Sequence, residues 1–163
     1  MLDYLENEKT DAGKQVEECG WAIAETVNFS KFTSCIGLAV KTGEAALLGI
    51  HLVLVHKSGT AFSKDNANEI ADFIRGKTGE RDIYIFGFID IWEKNGPKPS
   101  GGPSFYDILT AKLRDFQIHK QSSDFEDGTY SAKINGGKIT VFKDLAPINF
   151  NAGCKQEGIK CLI

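Results

Sequence analysis

Apolar residues along the chain fall into short runs separated by polar and glycine-rich stretches. Trp21–Val27 reads as a strand, and Ile36–Lys41 as a second. Between them, Phe29–Cys35 is a connection of polar and small residues. A turn at Thr42–Glu44 leads into Ala45–Val55, a third strand with apolar residues on both parities, the pattern of a strand buried on both faces. So short a turn between two apolar runs predicts a hairpin. Ser63 can cap a helix over Lys64–Gly76, where Ala67, Ile70, Ala71 and Ile74 share one face and Gly76 and Gly79 are stop signals. Asp82–Trp92 reads as another buried strand. After a glycine- and proline-rich loop, Asn95–Pro103, Ser104 caps a second helix with Asp107 at the capping-box position; its stripe is Ile108, Leu109, Leu113 and Phe116. Thr129–Ile134 and Lys138–Lys143 flank Asn135-Gly136-Gly137, a strong hairpin signal.

Residues 1–20 are expected to be a polar lead-in and residues 145–163 an irregular tail. Strands outnumber helices, and each amphipathic helix needs a sheet face to cover. The predicted fold is α/β (α+β): one domain over residues 1–163, with a layered, β-sandwich-like core of mixed strands under two amphipathic helices.

Composition narrows the function classes. Of 163 residues, 42% are hydrophobic and 25% charged, ordinary globular values that allow a real core without disulfide or metal staples. The net charge of −3 argues against nucleic-acid or membrane-surface partners, which usually meet a basic face. The acidic N-terminal stretch is no signal peptide, and Ala45–Val55 is too short to span a bilayer. A soluble, cytoplasmic protein is expected, with non-classical export left open. The spacing of Cys19, Cys35, Cys154 and Cys161 relative to the histidines fits no zinc site, and free thiols are expected; a Cys154–Cys161 pair would require an oxidising compartment. Asn95–Pro103 lacks the P-loop lysine pattern, and Asp124, Glu126 and Asp127 read as solvated loop residues.

One constellation carries chemistry. Cys35 sits where the polar connection meets the strand, so its sulfur can be presented beside backbone N–H groups of the turn, including those around Thr33 and Ser34. Counted from Gly43, Cys35 lies eight residues back and His51 eight forward. Across the hairpin this sets the two directly opposite, with Cβ atoms ~5 Å apart. A histidine there can take the thiol proton and form a thiolate–imidazolium pair. His56 and His119 have no such match and read as surface residues.

The stretch Thr33–Val55, with its small-residue–Cys turn opening a strand and a histidine on the hairpin partner, resembles the signature of the CheD-like chemoreceptor glutamine deamidases. The order of the later helices and strands follows that family too. The catalytic domain of cytotoxic necrotizing factor and related bacterial effectors resembles the same fold. The resemblance implies Cys35 as nucleophile and His51 as base, with no cofactor and no metal. The family's glycine before Ser-Cys is Thr33 here, and its threonine six residues before the cysteine is Phe29. Thr26, Asn28 or Ser30, or a backbone carbonyl, is then expected to orient His51.

The resulting expectation is a cysteine hydrolase that deamidates exposed glutamines of a partner protein. The alternatives are a non-enzymatic binding module that keeps the fold, and an effector-type deamidase or transglutaminase acting on a host protein.

Overall fold

A computed structural model describes residues 4–6, 15–97, 101–121 and 127–151. The expected α+β architecture is present: two sheets, mostly strands, with three helices. The element order is β1 (Trp21–Ala24), β2 (Thr26–Asn28), β3 (Ile36–Gly43), β4 (Ala46–Leu52), α1 (Lys64–Lys77), β5 (Asp82–Gly87), α2 (Ile89–Lys94), α3 (Phe105–Ala111), β6 (Gln117–Gln121), β7 (Tyr130–Asn135), β8 (Lys138–Lys143), β9 (Ala146–Pro147) and β10 (Phe150–Asn151). One sheet runs β1-β4-β3-β5-β6-β10 and the other β2-β7-β8-β9.

The central strands of the large sheet are buried on both faces, and the two faces differ. Ile36, Leu38 and Val40 alternate with Gly37 and Ala39 along β3, paired respectively with Leu52, Ile50 and Leu48, and with His51 and Gly49, on β4. The aliphatic face lies under the helices. Trp21, opposite Ile50, packs its ring against Phe73 of α1 at 4.7 Å, and α1 turns Ala67, Ile70, Ala71 and Ile74 inward. The small-residue face meets the second sheet. A Cβ on Gly49 would lie 2.7 Å from Val27 of β2, and Phe86 packs against Tyr130 of β7 at 5.7 Å between ring centroids. Small side chains on this face give room for a cluster of Phe29, Phe32, Phe86 and Tyr130 between the sheets.

Several boundaries differ from the sequence reading. Trp21–Val27 is two strands: the chain passes from one sheet to the other at Glu25. Asp82–Trp92 stops being a strand at Gly87, whose φ of 109° turns the chain into α2. An apolar run cannot by itself distinguish a buried strand from a buried helix. The second helix ends at Ala111, and Leu113 and Phe116 are buried in the turns after it. β6 follows, so His119 is a strand residue: its Nε2 lies 2.9 Å from Asp82 and its ring stacks on Tyr84 at 4.6 Å. The β7–β8 turn uses Gly136 and Gly137, both with positive φ, while Asn135 stays in the strand.

The described part of the lead-in is core. Tyr4, Leu5, Val16 and Cys19 are buried. The Tyr4 hydroxyl donates to the Val53 carbonyl at 2.9 Å and accepts from the Val53 N–H at 2.7 Å, while Glu69 of α1 accepts from the Tyr4 and Leu5 N–H groups. Part of the expected irregular tail is also ordered, as β9 and β10. Cys154, Cys161, Asp124 and Glu126 lie outside the described residues.

Candidate active site

Cys35 immediately precedes β3, and His51 lies on β4. The predicted hairpin is present, but its register is not the one counted from Gly43. Gly37, not Cys35, is opposite His51. The strands run on past Thr42 and Gly43, the turn falls at Glu44 and Ala45, and a bulge sits between Lys41 and Gly43. Relative to the expected pairing the slip is two residues, which preserves side-chain parity; a slip of one would have reversed it. Cys35 stands one residue before the Ile36–Leu52 pair, so along the ladder it is diagonal to His51, ~7–8 Å away at the backbone.

His51 is fully buried. Its Nδ1 lies 3.0 Å from the Val16 carbonyl oxygen and 3.3 Å from Ser30 Oγ. A carbonyl can only accept, so Nδ1 carries the proton and Nε2 is a bare lone pair. That Nε2 is buried and meets no hydrogen-bond partner among the described residues. Burial holds the imidazole below its ordinary pKa, against the opposing pull of the Val16 carbonyl and the Glu18 and Glu17 carboxylates. The ring lies 4.6 Å from Phe32 and 6.3 Å from Phe29 between centroids.

Among the candidates for orienting His51, the structure brings in Ser30 and a backbone carbonyl. The carbonyl belongs to Val16, inside the stretch read as lead-in. It is held from both sides: the Ser30 N–H donates to it at 3.0 Å, and the Val16 N–H donates to the Asn28 carbonyl at 2.7 Å. Asn28 thus acts at one remove, through its main chain. Thr26 is exposed, pairs with Lys133 and is not brought to His51.

Cys35 is a free thiol, 5% exposed. Burial first, then the Glu18 carboxylate, push it up to about 11, while the backbone N–H groups of Ser34 and Thr33 face the sulfur and pull the other way. Thr33 and Ser34 therefore act on the sulfur through their main chain. Both shifts favour a neutral thiol and a neutral imidazole in the free protein over a thiolate–imidazolium ion pair. Burial outweighs the pull of the Glu17 and Glu18 carboxylates on His51 and of the backbone N–H groups on Cys35.

Cys19 has the same raised pKa, about 11, again from burial first. It bonds across one edge of β4, its N–H donating to the His51 carbonyl at 2.8 Å, whereas β3 lies on the other edge. One strand thus separates the two cysteines, ~9–10 Å at the backbone, too far for a disulfide. Beside Cys19 a cavity of about 540 Å³ is lined by Val16, Glu6, Glu17, Glu18 and Lys57, with Lys57 paired to Glu6. Among the described residues no cluster of histidine, cysteine and acidic side chains could hold a metal, and no helix is long and apolar enough to cross a membrane. No protein-family model, no curated protein and no solved structure matches this chain.

Proposed function

We propose that this protein is a cysteine hydrolase that deamidates glutamine side chains exposed on a partner protein, with Cys35 as nucleophile and His51 as base. One observation carries the reading: the His51 tautomer leaves its Nε2 lone pair buried and unpartnered among the described residues, on the strand that pairs with the one Cys35 opens. A buried acceptor without a donor costs about 1–3 kcal/mol, and such a cost in a folded core calls for a reason. Readiness to receive a proton supplies one.

In this reaction the Cys35 sulfur attacks the carboxamide carbon as its proton passes to Nε2 of His51. The carbonyl electron pair moves to oxygen, beside the N–H groups of Ser34 and Thr33. His51 returns the proton to the nitrogen, the C–N bond breaks, and ammonia leaves a thioester on Cys35. Water, deprotonated by His51, then releases glutamate and restores the thiol. Because the resting thiol is neutral, proton transfer belongs to the substrate-bound complex and not to the free protein.

The second reading is a protein-binding module without this chemistry, and the buried, raised Cys35 thiol favours it. Incubating wild type and Cys35→Ser with candidate partner proteins, followed by peptide mass spectrometry, separates the two. The mass gain of Gln→Glu with wild type alone supports the hydrolase. Gain with neither protein supports the binding module, and equal gain with both removes Cys35 from the reaction.

A further inference from the structure

The connection that carries Cys35 is tied to the β5–α2 corner at two successive carbonyls. The Phe88 N–H donates to the Cys35 carbonyl at 2.9 Å, and the Trp92 indole N–H donates to the Ser34 carbonyl at 3.0 Å. Gly87 makes the first contact possible, since a Cβ there would lie 2.6 Å from the Cys35 oxygen. Trp92 is fully buried on α2, its ring packed against Phe62 at 5.0 Å and Phe105 at 6.4 Å.

The peptide bonds are trans. A trans peptide points its C=O and its N–H in opposite directions. By drawing the Ser34 carbonyl towards α2, Trp92 turns the Cys35 N–H away from α2. That N–H has no hydrogen-bond partner among the described residues. It belongs to the residue that bears the sulfur, and the two preceding N–H groups, of Ser34 and Thr33, already face that sulfur. Successive N–H groups turned to one side form a small anion-binding concavity.

We infer that Trp92 is a positioning residue: its indole fixes the Ser34–Cys35 peptide so that the Cys35 N–H donates to the oxyanion formed when the sulfur attacks a carbonyl. The inference rests on the hydrolase reading above and adds a residue to it. Without the indole donor, the Ser34 carbonyl is free to rotate, and in the flipped peptide its oxygen would face the developing negative charge.

Two reactions of Cys35 isolate this role. Acylation by p-nitrophenyl acetate passes through a tetrahedral oxyanion: the S–C bond forms, the thiol proton goes to His51, and p-nitrophenolate leaves. Alkylation by iodoacetamide is displacement at saturated carbon; iodide leaves and no oxyanion forms. Each rate is taken as the part lost in Cys35→Ala. Trp92 is replaced by benzothienylalanine, which keeps the ring shape and lacks the N–H, and separately by Phe in Trp92→Phe, so that a folding defect in one leaves the other.

Loss of one oxyanion donor costs up to ~10²–10³ in rate, so acylation is expected to fall by at least about tenfold while alkylation stays within about twofold. Equal falls in both reactions would make Trp92 a packing residue and overturn the inference. Unchanged acylation would overturn it too, leaving the hydrolase reading intact. A wild-type protein with no Cys35-dependent acylation would overturn the hydrolase reading itself.

Discussion

Replacing His51 by leucine separates a residue kept for chemistry from one kept for folding. His51→Leu removes the Nδ1 contacts to the Val16 carbonyl and to Ser30 Oγ, together worth about 1–2 kcal/mol net. The carbonyl is not orphaned by the change, because the Ser30 N–H still donates to it at 3.0 Å. The substitution also removes the unpartnered Nε2, relieving about 1–3 kcal/mol. The leucine enters an aromatic pocket beside Phe32 and Phe29, where an apolar side chain is at home. The balance runs from about 1 kcal/mol lost to about 2 kcal/mol of added stability. For a chain of this size the upper end is a rise in melting midpoint of up to ~4–8 °C.

The pH dependence gives a second handle on the same substitution. Burial lowers the folded pKa of His51 below 6.5. The unfolded state therefore binds a proton first on acidification. The stability contributed by keeping His51 neutral is complete above about pH 6.5 and is lost as pH falls through the folded pKa. His51→Leu lacks this loss, so its advantage should widen below about pH 6.5. Denaturant melts of both proteins from neutral to mildly acidic pH measure it. A variant destabilised by more than about 2 kcal/mol, or an advantage that shrinks on acidification, would show that the imidazole is a structural element and refute the reasoning.

Other outcomes follow from the same coordinates. The alkylation rate of Cys35 in the free protein should rise about tenfold per pH unit through the neutral and mildly alkaline range, because its pKa is about 11; peptide mapping that shows a plateau below about pH 8 would contradict this. Tyr4→Phe strips both the Val53 N–H and the Val53 carbonyl of their shared partner and should cost about 2–3 kcal/mol in a denaturant melt. Gly49→Ala places a Cβ 2.7 Å from Val27 and 2.9 Å from Phe29, forcing the sheets apart, with an expected loss of about 1–3 kcal/mol by the same melt. Leu145→Gly should stabilise by about 1 kcal/mol, since Leu145 is 92% exposed and holds a φ of 72° in the β8–β9 turn; an unchanged or lowered midpoint would contradict that.

The parts of the fold visible in the sequence are those with a local signal. Ser63 caps α1 and Ser104 forms the capping box its spacing suggests, and Gly136-Gly137 closes the β7–β8 hairpin. The apolar runs place β3, β4 and β5, but not the end of β5, because Phe86–Trp92 is apolar on both sides of a helix start that Gly87 alone marks. The β3–β4 hairpin that joins the strands of Cys35 and His51 was legible from its apolar runs and short turn. The two-residue error in register arose because the turn falls at Glu44–Ala45, where no glycine announces it. Ser30 and a backbone carbonyl were among the expected groups for orienting His51, but which carbonyl was not legible. Val16 acts through its carbonyl, which no residue type encodes, from a polar stretch that gives no sign of packing. Trp92 acts from a helix hidden inside an apparent strand. Ser30 could be proposed only because its hydroxyl lies in the connection between the strands.

The protonation of the His51 ring bears most directly on whether this site is built to accept a proton. Nitrogen chemical shifts of the imidazole, recorded near neutral pH on protein labelled with ¹⁵N-histidine, distinguish a protonated ring nitrogen from a bare one. The account predicts a neutral ring with the proton on Nδ1 and an unprotonated Nε2 in the free protein, and a change at Nε2 in Cys35→Ser, where a hydroxyl replaces the thiol. A proton found on Nε2, with the bare Nδ1 turned to the Val16 carbonyl, would leave no lone pair at Nε2 to take the Cys35 proton and would contradict the proposed chemistry.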